Sequence, residues 1–192
     1  MSELLYFIRH GQTDWNAEMR FQGQKDIPLN DKGRGQAKRN GEVLRDLIKA
    51  DDFDFVASPL GRTRETMEIV RTAMGLEPEA YRIDARLREL SFGLWEGRTV
   101  SDLEASEAKL WAERQADKWY FQPEEGESYH ILTERVRGWA LELNKPTVVV
   151  SHGGVNRALR AIFTDTSVRE LAAAIIPQDK IMIVDGSKLT WV

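Results

Sequence analysis

The sequence predicts an α/β fold with a mostly parallel central sheet, on three observations. Short apolar runs of strand length recur at Leu4 to Ile8, Phe53 to Ala57 and Thr147 to Val150. Each is followed by a segment with apolar residues at helical spacing. No internal repeat, low-complexity tract or linker divides the 192 residues. A strand, a helix and another strand imply a crossover, and a crossover returns the chain in parallel.

The elements follow in order. Leu4 to Ile8 is the first strand, ending abruptly in Arg9, His10 and Gly11. From Asn30, a residue suited to capping, Ala37, Gly41, Leu44 and Ile48 mark one face of a helix. After Phe53 to Ala57, the stretch PLGRTRETMEIVRTAMG carries Met67, Val70 and Met74 and stops at Gly75, with Pro78 beyond. The weakly patterned part, residues 95–126, is expected to form a small inserted lobe or lid on a single domain spanning 1–192. Within it a helix is expected over Leu103 to Trp111, followed by polar chain holding the cluster Trp119, Tyr120 and Phe121. That cluster fits contact with an apolar leaving group or packing of the lid equally well. Glu127 to Asn144 repeats the helical pattern through Leu132, Val136, Trp139 and Leu143 and halts at Pro146. Beyond the third strand, Val155, Leu159 and Ile162 share a helix face. Ser167 and Glu170 have capping-box spacing, and KIMIVDGSKLTWV forms two strands around Asp185 and Gly186.

Composition narrows the function classes. With 27 Lys plus Arg against 31 Asp plus Glu the net charge is −4, so no global basic field attracts nucleic acid or anionic lipid. Any anion site must be local. The absence of Cys excludes disulfides, thiolate metal sites and a cysteine nucleophile. The longest apolar run, Leu171 to Ile176, is far short of the ~20 residues of a membrane span. No signal-like segment precedes Leu4, which makes a cytoplasmic location the expectation.

In a parallel sheet the residues just after each strand gather at one edge, beside the N-termini of the following helices. Arg9, His10 and Gly11, then Ser58 to Arg62, then Ser151, His152, Gly153 and Gly154 would therefore face one space. Two histidines, two arginines and helix N-termini suit a phosphoryl group. A divalent metal suits the histidines less, because no carboxylate lies near either in sequence and the arginines would repel a cation. A neutral imidazole can attack phosphorus and leave again, and neighbouring arginines favour that neutral form. A carbonyl accepting from one ring nitrogen would leave the other to attack, and Gly11 would let the backbone approach the phosphate. The leaving oxygen then needs a proton, which Glu89 or Glu96 could supply, and spacing does not choose between them. The third histidine, His130, has no strand or glycine context and is read as structural or surface.

These residues closely resemble the histidine phosphatase superfamily, also called phosphoglycerate mutase-like. The resemblance rests on RHGQTDWN at Arg9, FQGQKDIPLNDKGRGQA at Phe21, SPLGRTRET at Ser58, LRELSFGLWEG at Leu87, GES at Gly126 and VVSHGGVNR at Val149, in that order over most of the chain. It implies a three-layer α/β/α sandwich with His10 as the phosphorylated nucleophile. Arg9, Arg62 and His152 would bind the phosphoryl oxygens, with Gly153 beside them. It selects Glu89 as proton donor and later base for water, leaving Glu96 a supporting role. Asn16, Gln22 and Gly23 would line the pocket. Neither a metal nor a cofactor is implied; 2,3-bisphosphoglycerate would enter only in a mutase.

The expected activity is that of a phosphomonoesterase acting on a small-molecule phosphate ester, with no nucleic acid or membrane partner. Residues 95–126 carry Arg98, Lys109, Arg114 and Lys118 scattered rather than as an adjacent basic pair, which favours water over a second substrate as acceptor. A cofactor-dependent phosphoglycerate mutase is the enzymatic alternative. A non-catalytic phosphate-binding or scaffold protein is the alternative of another class, disfavoured because a binder has no use for the acid.

Overall fold

Leu5 and Phe7 of the first strand, β1 (Leu4–Arg9), pack into one core, and Tyr6 and Ile8 into another. A strand buried on both faces must lie inside a sheet with helices on either side. The computed structural model describes residues 4–192. Besides β1 it contains β2 (Asp54–Ala57), β3 (Arg82–Ile83), β4 (Thr147–Ser151), β5 (Ile181–Asp185) and β6 (Lys188–Trp191). They form one six-stranded sheet in the order β3-β2-β4-β1-β5-β6. The pairs joining β3, β2, β4 and β1 are parallel, and the hairpin β5-β6 adds antiparallel beside β1.

Helices α2 (Asp31–Leu47) and α3 (Gly61–Ala73) cover one face through Leu44, Met67 and Val70. On the other face lie α6 (Tyr129–Ala140), α7 (Gly153–Phe163) and α8 (Val168–Ala173), through Leu132, Val136, Val155, Leu159 and Leu171. The result is the three-layer sandwich. Asn30 caps α2 by accepting from the Gly33 amide at 2.9 Å, and Ser167 and Glu170 make the reciprocal bonds of a capping box on α8. No helix among the described residues is long and apolar enough to cross a membrane.

Several expectations are corrected. Two elements have no counterpart in the sequence reading: the two-residue edge strand β3, exposed at both positions, and α1 (Asp14–Ala17), a single turn closed by Thr13 and Asn16. The helix expected over Leu103 to Trp111 is two helices, α4 (Val100–Ser106) and α5 (Ala108–Ala116). They part at Glu107, whose carboxylate accepts from the Trp95 indole at 2.8 Å and pairs with Arg98. Helix α6 ends at Ala140, before the pattern that runs to Asn144. The three clustered aromatics separate: Trp119 stacks on Tyr129, Phe121 stacks on Trp95, and Tyr120 is exposed beside His130. Trp119 and Phe121 thus serve packing, and none of the three lines the pocket of the strand ends.

Candidate active site

The ends of β1, β2 and β4 do meet. A pocket of about 230 Å³ is lined by Arg9, His10, Asn16, Gln22, Gly23, Arg62, Glu89 and Gly153 among others. His152 lies directly behind, its ring 5.2 Å from that of His10. Sequence-distant residues converge because parallel strands deliver them to one edge.

His10 is almost wholly buried. Its Nδ1 lies 2.8 Å from the Gly11 carbonyl, which can only accept, so the ring proton sits on Nδ1. Nε2 accepts from Arg62 Nε at 3.3 Å. Burial, then the charges of Arg62 and Arg9, hold this imidazole well below its ordinary range. It is therefore neutral at pH 7, with its lone pair on the nitrogen that faces Arg62. His152, fully buried, is held low by the same causes, burial first. Its Nε2 is 2.7 Å from the Ser58 hydroxyl; when Ser58 donates, the ring proton sits on Nδ1.

Burial pushes the Arg9 and Arg62 guanidinium groups down to about 10, opposed by Glu89, and both stay charged at neutral pH. Arg62 is gripped from outside, its two terminal nitrogens donating to the Gly23 and Lys25 carbonyls at 2.7 Å each. Only its Nε turns to His10. Arg9 donates to the Ile176 carbonyl at 2.6 Å, and its Nε has no partner within the protein. Gln22 is oriented by Thr13, whose hydroxyl donates to Oε1 at 2.5 Å, and its Nε2 likewise has no partner. With His152 Nδ1, these make three buried, unpartnered polar atoms around one site. Buried polar atoms are ordinarily paired, so such a concentration marks a place built to donate to an anion.

The glycines and helix ends behave differently from expectation. A Cβ on Gly11 would fall 2.2 Å from the Gly33 carbonyl oxygen, so close packing against α2 requires this glycine, and its amide donates to Thr66 rather than outward. The N-terminus of α3 is capped by the Asp26 carboxylate, which accepts from Gly61 and Arg62 amides. That of α7 faces Glu89, whose two oxygens accept from the Gly154 amide at 3.1 and 3.2 Å. At both helix ends a carboxylate takes an amide, and buried side chains supply the unpartnered donors.

The two candidate acids are now distinguishable. Glu89 lines the pocket. Glu96 turns under Gly23, accepting from the Gln24 and Phe92 amides at 2.9 and 3.2 Å. Gly23 has φ +55° and no room for a Cβ beside Glu96, which is why glycine stands there. Asn16 accepts from the Gln178 side chain at 3.1 Å and from the Thr13 amide.

Sequence reasoning missed several lining residues, Arg20, Phe21, Phe92, Arg114, Tyr129 and Arg157, and placed Gly154 only at the common strand edge. Gly154 had a signal, the second glycine of HGG: a Cβ there would sit 2.2 Å from Glu89 Oε1. Arg114 comes from the lobe, its guanidinium 5.2 Å from the ring centroids of both Phe21 and Trp111. Burial and Arg157 lower it, and burial, Arg114 and Arg157 lower Lys118. Among the described residues neither Arg114 nor Lys118 pairs with a carboxylate. Of the basic residues scattered through 95–126, Arg114 alone lines the pocket, beside Arg20 and Arg157 from outside that segment. No cluster of three or more potential metal-ligating His, Cys, Asp or Glu side chains occurs among the described residues.

A sheet of this topology with two histidines and two arginines at its strand ends defines a class, and the profile of the histidine phosphatase superfamily (branch 1) matches residues 5–192. The chain belongs to that superfamily. It is 40% identical to a probable phosphoglycerate mutase, GpmB, of Citrobacter koseri, over 78% of this chain and 69% of that protein. Among solved structures it is similar to a mycobacterial glucosyl-3-phosphoglycerate phosphatase in complex with VO3, with TM-score 0.82 and 29% identity over 100% of this chain and 97% of that one. The alpha-ribazole phosphatase of Shigella flexneri gives TM-score 0.82 and 26% identity over 95% and 90%.

Proposed function

We propose that the chain is a metal-independent phosphomonoesterase acting on a small-molecule phosphate ester through a phosphohistidine at His10. The observation that carries this reading is the His10 tautomer: the Gly11 carbonyl holds the proton on Nδ1 and leaves Nε2 with a lone pair inside a ring of buried donors. Nε2 attacks phosphorus as the ester P–O bond breaks. The leaving oxygen takes a proton from Glu89, on Oε2, the oxygen with only one long contact to an amide. Arg9, Arg62, Gln22 and His152 receive the charge on the transferring oxygens. Water then attacks the phosphohistidine and gives its proton to Glu89. The P–N bond breaks, phosphate leaves, and His10 recovers its lone pair. The two phosphatases it resembles in fold support hydrolysis as the outcome.

A mutase is the second reading, favoured by the gathering of Arg20, Arg114 and Arg157 in the pocket wall. These could hold an anionic group on the rest of the substrate. One set of assays separates the readings. A panel of phosphate monoesters, including 3-phosphoglycerate, is turned over with chelator present, and interconversion of 3- and 2-phosphoglycerate is followed with 2,3-bisphosphoglycerate. Phosphate release with acid-labile label on His10 is expected. Exchange faster than release would establish the mutase, and phosphate binding without label would leave a binding protein.

A further inference from the structure

Glu89 sits in irregular chain between the turn at Ala85–Leu87 and the turn at Gly93–Trp95, with no ladder to fix it. Its carboxylate accepts from the Leu90 and Gly154 amides and its carbonyl from Gln24 Nε2 at 3.0 Å, while one guanidinium binds the chain on either side of it. Arg135, on the second turn of α6, donates through Nη1 to the carbonyls of Arg86 at 2.8 Å and Arg88 at 3.0 Å. Its Nη2 reaches the Glu89 carbonyl at 3.4 Å. The other edge of the fork meets Glu127, with Nε 3.2 Å from Oε1 and Nη2 2.8 Å from Oε2. Glu127 then extends the grip: Oε2 accepts from the Ser91 amide at 3.0 Å, and its own amide donates to the Ser91 carbonyl at 2.8 Å. The chain from Arg86 to Ser91 is thus held on both sides of Glu89 by one ion pair, and neither partner lines the pocket. Only a planar fork reaches three carbonyls and a carboxylate at once, and a lysine could not.

We infer that the Glu127–Arg135 pair is a positioning device for the proton donor, resting on the reading above in which Glu89 is that donor. A clamp that serves only stability would lower every rate alike or none. A clamp that aims the acid must show its effect where the acid matters. Phosphorylation of His10 by 3-phosphoglycerate expels an alkoxide that needs a proton, whereas p-nitrophenyl phosphate expels a group that leaves unaided.

Single-turnover rates on both esters are measured for Arg135→Lys, Glu127→Gln, Glu89→Gln and the double variant Arg135→Lys/Glu89→Gln. Glu89→Gln should slow the alkyl ester by about 10²–10⁴-fold and the nitrophenyl ester far less. Arg135→Lys should give the same selectivity at about 10–100-fold, the scale of a misplaced catalytic group. The double variant should be no slower on the alkyl ester than Glu89→Gln alone. Glu127→Gln preserves the size of the site, and carries the test with the same leaving-group signature if Arg135→Lys does not fold. Equal losses on the two esters, or losses that multiply in the double variant, would overturn the clamp while leaving Glu89 as donor. Absence of leaving-group dependence in Glu89→Gln would instead overturn the donor reading, and the clamp with it.

Discussion

His10, Arg62 and His152 stand just beyond buried strands with exposures of 2%, 1% and 0%, whereas Arg20 and Arg114, at the outer end of the same pocket, are partly exposed on a turn and on a lobe helix. The inner groups are fixed by the Gly11 carbonyl and Ser58 hydroxyl at the sheet edge and by the Gly23 and Lys25 carbonyls of a loop, and their polar atoms face one another. The outer cations rest on aromatic faces, Arg114 on Phe21 and Trp111, Arg157 over Tyr129. An end that is rigid, dry and rich in unpartnered donors suits a step common to every phosphate ester. An end made of long side chains drawn from separate elements, Arg114 from the lobe and Arg157 from α7, suits discrimination among leaving groups. Substitutions should therefore separate the two: inner changes act on all esters, outer changes on some.

The largest effect is expected at His10. His10→Ala should abolish turnover of every ester and remove acid-labile labelling, because no other residue in the pocket can form the covalent intermediate. Label retained in that variant would break the inner half of the comparison at once. Arg62→Ala comes next, with kcat lowered by at least about 100-fold on alkyl and aryl phosphates alike, the loss of a transition-state donor of roughly 2.7 kcal/mol. A loss confined to some esters would move Arg62 to the outer class. Arg114→Gln should be selective. For esters with a second anionic group kcat/KM should fall about tenfold, mostly through KM, since one charge-assisted contact contributes roughly 1.5 kcal/mol, and p-nitrophenyl phosphate should be almost unaffected. An equal effect on both would show that the lobe shapes the whole pocket.

The same division governs how far the sequence could be read. Arg9, His10 and His152 were legible because each ends or closely follows an apolar run, and Arg62 because it opens the helix after one, so sequence position and place at the sheet edge are the same information. Glu89 and Glu96 were not separable by spacing, since both lie in irregular chain; what separates them is a tertiary contact, Glu89 against Gly154 and Glu96 under Gly23. Arg20, Arg114 and Arg157 were illegible as a group. They come from a bridge beside Thr99, the lobe and α7, and the packing of Phe21 on Trp95 and Trp111 brings the first two together. Asp26 was missed for a related reason: its role as cap of α3 is contributed by a loop distant in sequence, so no local pattern at Leu60 announces it.

The smallest expected effect is on stability, and it reports on the inner end alone. His10 and His152 both have native pKa values well below the ordinary 6.5, first through burial and then through the arginines. In the unfolded chain they titrate near 6.5. Between the native values and about 6.5 the unfolded state therefore binds more protons than the native state, so stability falls as pH drops through this window and is level with respect to these groups above it. Each proton of difference gives a slope of about 1.4 kcal/mol per pH unit. Carboxylates held below their usual range, Asp54 beside Lys145 and Arg82, Asp84 beside Arg86, and Glu107, Glu142 and Glu170, act in the same direction but only below about pH 5. Denaturant unfolding between pH 5 and 7 thus isolates the histidines. His10→Gln should reduce the slope by about one proton, and His152→Gln likewise. An unchanged slope in either variant would mean that the imidazole is not held neutral by its surroundings, and the lone pair on which nucleophilic attack depends would have to be secured in another way.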